Sequence, residues 1–226
     1  MTEATESQED MRMPEQPPFT SCKNVASKVS GVYLIRINNG TSPFKAFCEQ
    51  EKFDGGWLVV QHRFDGSVDF YRNWAQYREG FGEVDNEFWL GLEKMHQLTT
   101  ARPHEIIIEL KDFSGNYAYT RYDEFKIGSE SEHYTLTLGK YSGNGTDSMT
   151  RNNGKKFAAT DRDDMDKPYV PGGCVAAFRS PWWHDDCTYA NLNGPYNNAY
   201  DIRTMFWYAW KRYQGMSYTR MIIREV

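Results

Sequence analysis

Residues 161–194 constrain the fold of this chain more than any other stretch. They run from the acids Asp161, Asp163, Asp164 and Asp166, through Cys174 and Ser180-Pro181-Trp182-Trp183-His184-Asp185-Asp186-Cys187, to Asn191-Leu192-Asn193-Gly194. Asp, Asn, Gly and Pro each favour turns for a separate physical reason, so a segment built from them is neither a packed helix nor a regular strand. Two Trp and two Cys within it nevertheless require order. Long ordered loops of this kind are usually functional. Hard oxygen donors beside a cross-linkable loop lead us to expect a cation that shapes it, and the Trp, His and Tyr around Cys187 a small surface pocket.

The regular elements must come from elsewhere. With 226 residues, of which 39% are hydrophobic, the chain can bury the core of one large domain or two small ones. An aromatic share of 15% with a mean hydropathy of -0.75 favours a core of Tyr, Phe and Trp over one of helix-forming Leu and Ala. Residues 32–37 and 44–48 read as two strands separated by the hairpin signal Asn38-Asn39-Gly40. In residues 57–63, Trp57, Val59 and Gln61 share one face and Leu58, Val60 and His62 the other; apolar residues on both faces predict a central strand. Phe70, Trp74 and Tyr77 fall at helical spacing within residues 70–78. A second helix is predicted over 92–98, stopped by Arg102-Pro103. Residues 105–112, 118–127 and 134–138 read as further strands. The predicted class is α+β, with a central, twisted, mixed but mainly antiparallel sheet and short helices.

None of the four cysteines sits in a C-x-x-C pair, which argues against zinc ribbons and thioredoxin motifs. Those close in sequence pair naturally as Cys22–Cys48 and Cys174–Cys187, and closing the shorter loop is worth about 3 kcal/mol on a chain-entropy model. The sequons Asn39-Gly40-Thr41 and Asn144-Gly145-Thr146 fit an oxidising, secretory setting and a glycoprotein. Residues 1–18 are acidic, contain Gln and Pro, and lack the apolar core of a signal peptide. They are expected to be a disordered lead or an artificial end. A net charge of -5 without a Lys/Arg run argues against nucleic acid and anionic membranes as partners. No stretch is apolar enough to span a bilayer.

Gly55-Gly56-Trp57, Gln61-x-Arg63-x-Asp65-Gly66-Ser67-Val68-Asp69-Phe70-Tyr71-Arg72-x-Trp74, Gly80-Phe81-Gly82, Glu87-Phe88-Trp89-Leu90-Gly91, Trp182-Trp183, Cys187 and Asn191-Leu192-Asn193-Gly194 carry a resemblance. In that order they resemble the fibrinogen C-terminal-like domain of ficolins, tachylectins, angiopoietins and invertebrate fibrinogen-related proteins, and the chain looks like an invertebrate immune member. The resemblance covers Ser21 to the end, and the domain is placed at 19–226. It implies a small disulfide-tied N-terminal subdomain over about 19–58, a central sheet over 59–150 plus the C-terminal strand, and a loop-rich subdomain over 151–215.

It also implies a calcium site. An EF-hand frame from Asp161 fails, because Met165 stands at its fifth position, Asp166 replaces the Gly and Gly172 the Glu. Similar proteins hold calcium with an Asp-x-Asp-x-Asp run. Counted without gaps from Phe157, that run falls on Asp161, Asp163 and Met165; shifted by one, the ligand pair is Asp164 and Asp166. Both registers stay open, along with loss of the site, and the expected ligands are Asp163, Asp164 and Asp166 with carbonyls from 167–170. Oxygen-only donors in a flexible loop favour calcium over zinc or magnesium.

Sugar-binding relatives, by the same resemblance, form an acetyl pocket around this Cys. Here that pocket maps onto Asp186, Cys187, Thr188, Tyr200 and Tyr213, with a cis Asp186-Cys187 bond, and Thr188 departs from the His usual there. Trp207 and Trp210 are expected in the core. His184-Asp185-Asp186 lies near Ser180, but neighbouring positions point their side chains apart and no triad or zinc spacing emerges, so no enzyme is expected. The implied function is a secreted, lectin-like recognition domain of innate immunity that binds a glycan or acetylated surface ligand. The alternative is a receptor-binding or protein-interaction domain without a sugar site. Avidity would need homo-oligomers, for which the chain shows no heptad or collagen repeat.

Overall fold

The structure is a computed structural model that describes residues 18–163 and 170–226. The lead expected over 1–18 lies, apart from Pro18, outside the described residues. Strands β1 (Gly31–Ile35) and β2 (Phe44–Glu49) form the first hairpin, and Asn38 Oδ1 accepts the Gly40 N–H at 2.8 Å in its turn. β3 (Trp57–Arg63) follows, then α1 (Trp74–Glu79), β4 (Phe81–Gly82), β5 (Phe88–Trp89) and α2 (Leu92–Ala101). β6 (His104–Asp112) and β7 (Tyr117–Tyr122) pair next to one another. β8 (Phe125–Ile127), β9 (Leu136–Leu138) and β10 (Tyr141–Gly143) lead into the loop region. That region contains α3 (Gly173–Phe178) and ends with α4 (Tyr208–Lys211) and β11 (Met216–Glu225).

The main sheet runs β1-β2-β3-β11-β6-β7-β10, with β5 on β3 and β4 on β5. Every ladder is antiparallel, and a parallel contact joins Phe19 to Ile35. β11, last in the chain, lies between β3 and β6. Its buried Met221, Ile222 and Ile223 meet the two-faced apolar pattern of β3 and the Ile106-Ile107-Ile108 run of β6. Strands buried on both faces carry such continuous apolar runs.

Two elements differ from the sequence expectation. The first helix begins at Trp74 because Asp69 Oδ1 takes the Tyr71 N–H at 2.9 Å and Asn73 forms a capping box with Gln76. Phe70 is still buried. The strand expected over 118–127 breaks at Asp123, whose Oδ1 accepts the Lys140 N–H at 2.6 Å, and β8 then pairs with β9 in a separate two-stranded sheet.

Disulfides link Cys22 to Cys48 and Cys174 to Cys187. The loop region is ordered by what it buries. Trp183 packs 5.0 Å from Phe157 and 5.1 Å from Trp182, and its Nε1–H donates to the Tyr134 carbonyl at 2.8 Å. Burying two indoles, of which Trp183 also satisfies its N–H, offsets much of the cost of fixing a long loop. β3 reaches across to the same loop. Gln61 Nε2 donates to the Leu192 carbonyl at 3.0 Å, and Arg63 Nη1 to the Gly194 carbonyl at 2.9 Å. Asn191 Nδ2 donates to the Thr204 carbonyl at 2.7 Å. Gly194 is required here, since a Cβ would sit 2.6 Å from the Thr204 carbonyl oxygen.

Candidate functional site

Cys187 lies at a sharp reversal. Its φ is 49°, and its carbonyl accepts the Asp185 N–H at 2.6 Å, closing the turn across Asp186. There is no cis peptide bond among the described residues, so the expected cis Asp186-Cys187 bond is trans. A left-handed residue turns the chain where the cis bond was expected to do so.

Asp186 is exposed on this turn. Thr188 is buried, and its hydroxyl is fully occupied within the protein: it donates to the Ala190 carbonyl at 2.7 Å and accepts from Ala190 N–H at 3.0 Å and Asn152 Nδ2 at 3.2 Å. It therefore has nothing left to offer a ligand. His184 is likewise buried, and its Nε2–H donates to the Ser180 carbonyl at 2.8 Å. Burial lowers its pKa, against the opposing pull of that carbonyl and of Asp163. Asp185 is held below the usual carboxylate range first by its hydrogen bond to Lys155, at 2.6 Å, and also by Arg151 at 3.6 Å. His184 and Asp185 thus have separate partners and form no acid–base pair.

Tyr200 and Tyr213 come together, their rings edge to face at 6.0 Å. Tyr200 is 63% exposed. The sequence did not identify the residues that extend this pair. Tyr208 packs 5.1 Å from Tyr213, Tyr189 stacks on Tyr208 at 4.6 Å and 18°, and the Arg151 guanidinium lies 4.3 Å over Tyr189. Burial, then the neighbouring Tyr208, Tyr189 and Tyr200, raise the pKa of Tyr213. Trp207 is buried as expected, whereas Trp210, on α4, is only half-buried and packs against the core from its edge.

Of the expected cation ligands, Asp164, Asp166 and the carbonyls of 167–169 lie outside the described residues. Asp163 Oδ2 accepts the Val175 N–H at 3.1 Å, at the start of the helix that carries Cys174. Its Oδ1 is buried without a partner among the described residues. Among them no three His, Cys, Asp or Glu side chains group as a metal site.

The family model for the C-terminal globular domain of fibrinogen beta and gamma chains matches residues 20–226. The chain belongs to this family. A fibrinogen-like domain of this kind is similar to bovine angiopoietin-related protein 1, at 38% identity over 222 residues that cover 92% of this chain and 44% of that protein. The fibrinogen-like globe domain of human ANGPTL2 superposes with a TM-score of 0.87 at 34% identity, covering 92% of this chain and 99% of its own. Lamprey fibrin D-dimer, solved in complex with the peptide Gly-His-Arg-Pro-amide, superposes at 0.81 with 31% identity, covering 90% and 72%. This fibrinogen-like chain spans less than half the length of the curated angiopoietin-related proteins it matches. No helix among the described residues is long and apolar enough to cross a membrane.

Proposed function

We propose that this fibrinogen-like domain is an extracellular, non-catalytic module that recognises a protein or peptide through its tyrosine ridge. The observation that carries this reading is the exposed Tyr200 beside Tyr213, continued by Tyr208, Tyr189 and Arg151, where Thr188 has no free hydrogen bond to give a sugar. Tyr and Arg dominate the energetic centres of protein interfaces, since they offer large rigid contact area with a polar end. The relatives point the same way: they are angiopoietin-related proteins, and the lamprey fibrin of like fold holds a peptide. The lectin-like, innate-immune reading draws no support from them.

Asp186, Cys187 and Thr188 then shape one flank of the ridge, with Asp186 exposed to a partner. Calcium belongs to the same proposal. Asp163, with Asp164, Asp166 and carbonyls from 167–170, would hold it, and the buried, unpartnered Asp163 Oδ1 is the support in the described residues. The test is binding of the purified domain to intact animal cells. Binding should be abolished by trypsin treatment of the cells, survive enzymatic removal of their surface glycans, and weaken about tenfold or more in Tyr200→Ala and Tyr213→Ala. Competition by N-acetylated sugars, with Tyr200→Ala binding unchanged, would return the assignment to a lectin.

A further inference from the structure

Among the described residues the main strand order of the sheet ends at β1 and β10, and the two-residue β4, paired only with β5, closes a side branch. β1 and β10 are each followed in the chain, within four residues, by an Asn-Gly-Thr sequence. Asn39-Gly40-Thr41 stands in the turn after β1, and Asn144-Gly145-Thr146 begins one residue after β10 ends. No other Asn in the chain heads such an acceptor sequence. β10 is short, exposed at all three residues and paired only with β7. β1 is paired with β2; Phe19 bridges Ile35, at the end beside the Asn39 turn, and the exposed Val32 lies toward the other end of the strand. Unpaired strand edges are templates for pairing with another chain, and natural sheets block them.

We propose that Asn39 and Asn144 both carry N-linked glycans, and that the two glycans guard the β1 and β10 ends of the sheet against pairing with another chain. The proposal rests on the extracellular reading above, because the transfer belongs to the secretory route. There a lipid-pyrophosphate-linked oligosaccharide is the donor. The Asn Nδ2–C1 bond forms and the C1–O bond to pyrophosphate breaks; the lipid pyrophosphate leaves with the electron pair, and the amide proton passes to a base of the transferase.

The folded geometry accommodates both products. Asn144 Oδ1 accepts the Tyr119 N–H at 2.9 Å, and the Gly145 N–H donates to the Tyr119 carbonyl at 2.8 Å. The Asn144 side chain therefore prolongs the β10–β7 ladder with its carbonyl alone. Its Nδ2 makes no hydrogen bond among the described residues, and the residue is exposed. A glycosylated amide keeps that carbonyl, so a glycan and the Tyr119 bond coexist. Asn39 is also exposed and makes no side-chain hydrogen bond among the described residues, while Asn38 and Thr41 close the turn around it at 3.0 Å.

The whole chain, secreted from animal cells behind a leader peptide, is measured by intact mass and peptide mapping before and after peptide-N-glycosidase. The leader enforces passage through the secretory route, so failed occupancy counts against this proposal and not against the cell-binding assignment. Digestion should remove two glycans and leave Asp at 39 and 144. Asn39→Gln and Thr41→Ala should each lose one, as should Asn144→Gln and Thr146→Ala; the last preserves the Asn144–Tyr119 bond if Asn144→Gln fails to fold. The folded, digested protein should sediment faster with rising concentration while the glycosylated protein does not. Occupancy at one position or neither, or digestion without a change in self-association, overturns the proposal.

Discussion

Single side chains decide how the site is held, and the most consequential is one whose task the sequence did not reveal. Glu87 is fully buried. Its Oε1 accepts the N–H groups of Phe64, Asp65 and Gly66 at 2.6, 2.9 and 2.9 Å, its Oε2 accepts from Val68 at 3.2 Å, and Arg63 Nε lies 3.8 Å away. Arg63 in turn holds the Gly194 carbonyl of the loop region. Glu87→Ala would strand a buried guanidinium and several N–H donors, and is expected to destabilise the domain by about 3–5 kcal/mol in urea unfolding. Tyr200→Ala, at a largely exposed position, should stay within about 0.5 kcal/mol of the parent and act on binding alone. The sequence placed Glu87 inside a motif but gave no hint of its partners, because they lie some twenty residues upstream. Tyr200 and Tyr213 were legible as a pair. Tyr189 and Tyr208 were not, since a stack between residues nineteen apart in loops leaves no periodic trace.

Among the elements, strands were more legible than the loop region, and for a physical reason. The alternation in β3 and the Ile run in β6 state their burial directly, whereas the start of α1 depends on which side chain caps it, and Asn73 outcompeted the apolar spacing that began at Phe70. The loop's covalent tie follows from proximity in sequence, but the turn at Cys187 rests on one left-handed residue that no motif specifies. α3 joins these levels: it carries Cys174, and the Asp163 carboxylate caps it at Val175. If calcium engages the other Asp163 oxygen, ion, disulfide and helix stiffen one unit. A binding ligand stabilises the folded state by about 2.7 kcal/mol at a hundredfold excess over its Kd, so the melting temperature should rise in calcium relative to EDTA. Asp163→Asn keeps an acceptor for the Val175 N–H and should lose the calcium-dependent rise. Equal melting temperatures of the parent in calcium and EDTA would identify Met165 as the mark of a lost site.

Across the whole molecule, the same burial that builds an aromatic core on a charged sheet makes stability depend on pH. His62, on β3, packs 5.3 Å from Tyr218 and 4.8 Å from Phe64, and burial, with Arg220 adding to it, pushes its pKa down to about 4 against the opposing Asn86 carbonyl and Glu87. His104 and His184 are lowered too, in each case first by burial. An unfolded His protonates near 6.5, so between about 6.5 and 4 the unfolded chain binds protons that the folded chain does not, and stability falls as pH falls. His62 alone contributes at most about 3 kcal/mol over that window. The carboxylates add a second stage. Burial would raise Glu109, but Arg220, Lys52 and Tyr117 outweigh it and hold its pKa below 4.5, so its contribution is present above that value and is lost as pH drops through the lowered one. Urea midpoints should therefore decline between pH 7.5 and 5.0, where no ordinary carboxylate titrates appreciably, and decline further below 4.5. His62→Gln should flatten the first stage while leaving the second. A parent midpoint that held constant from pH 7.5 to 5.0 would show that the buried histidines accept protons in place.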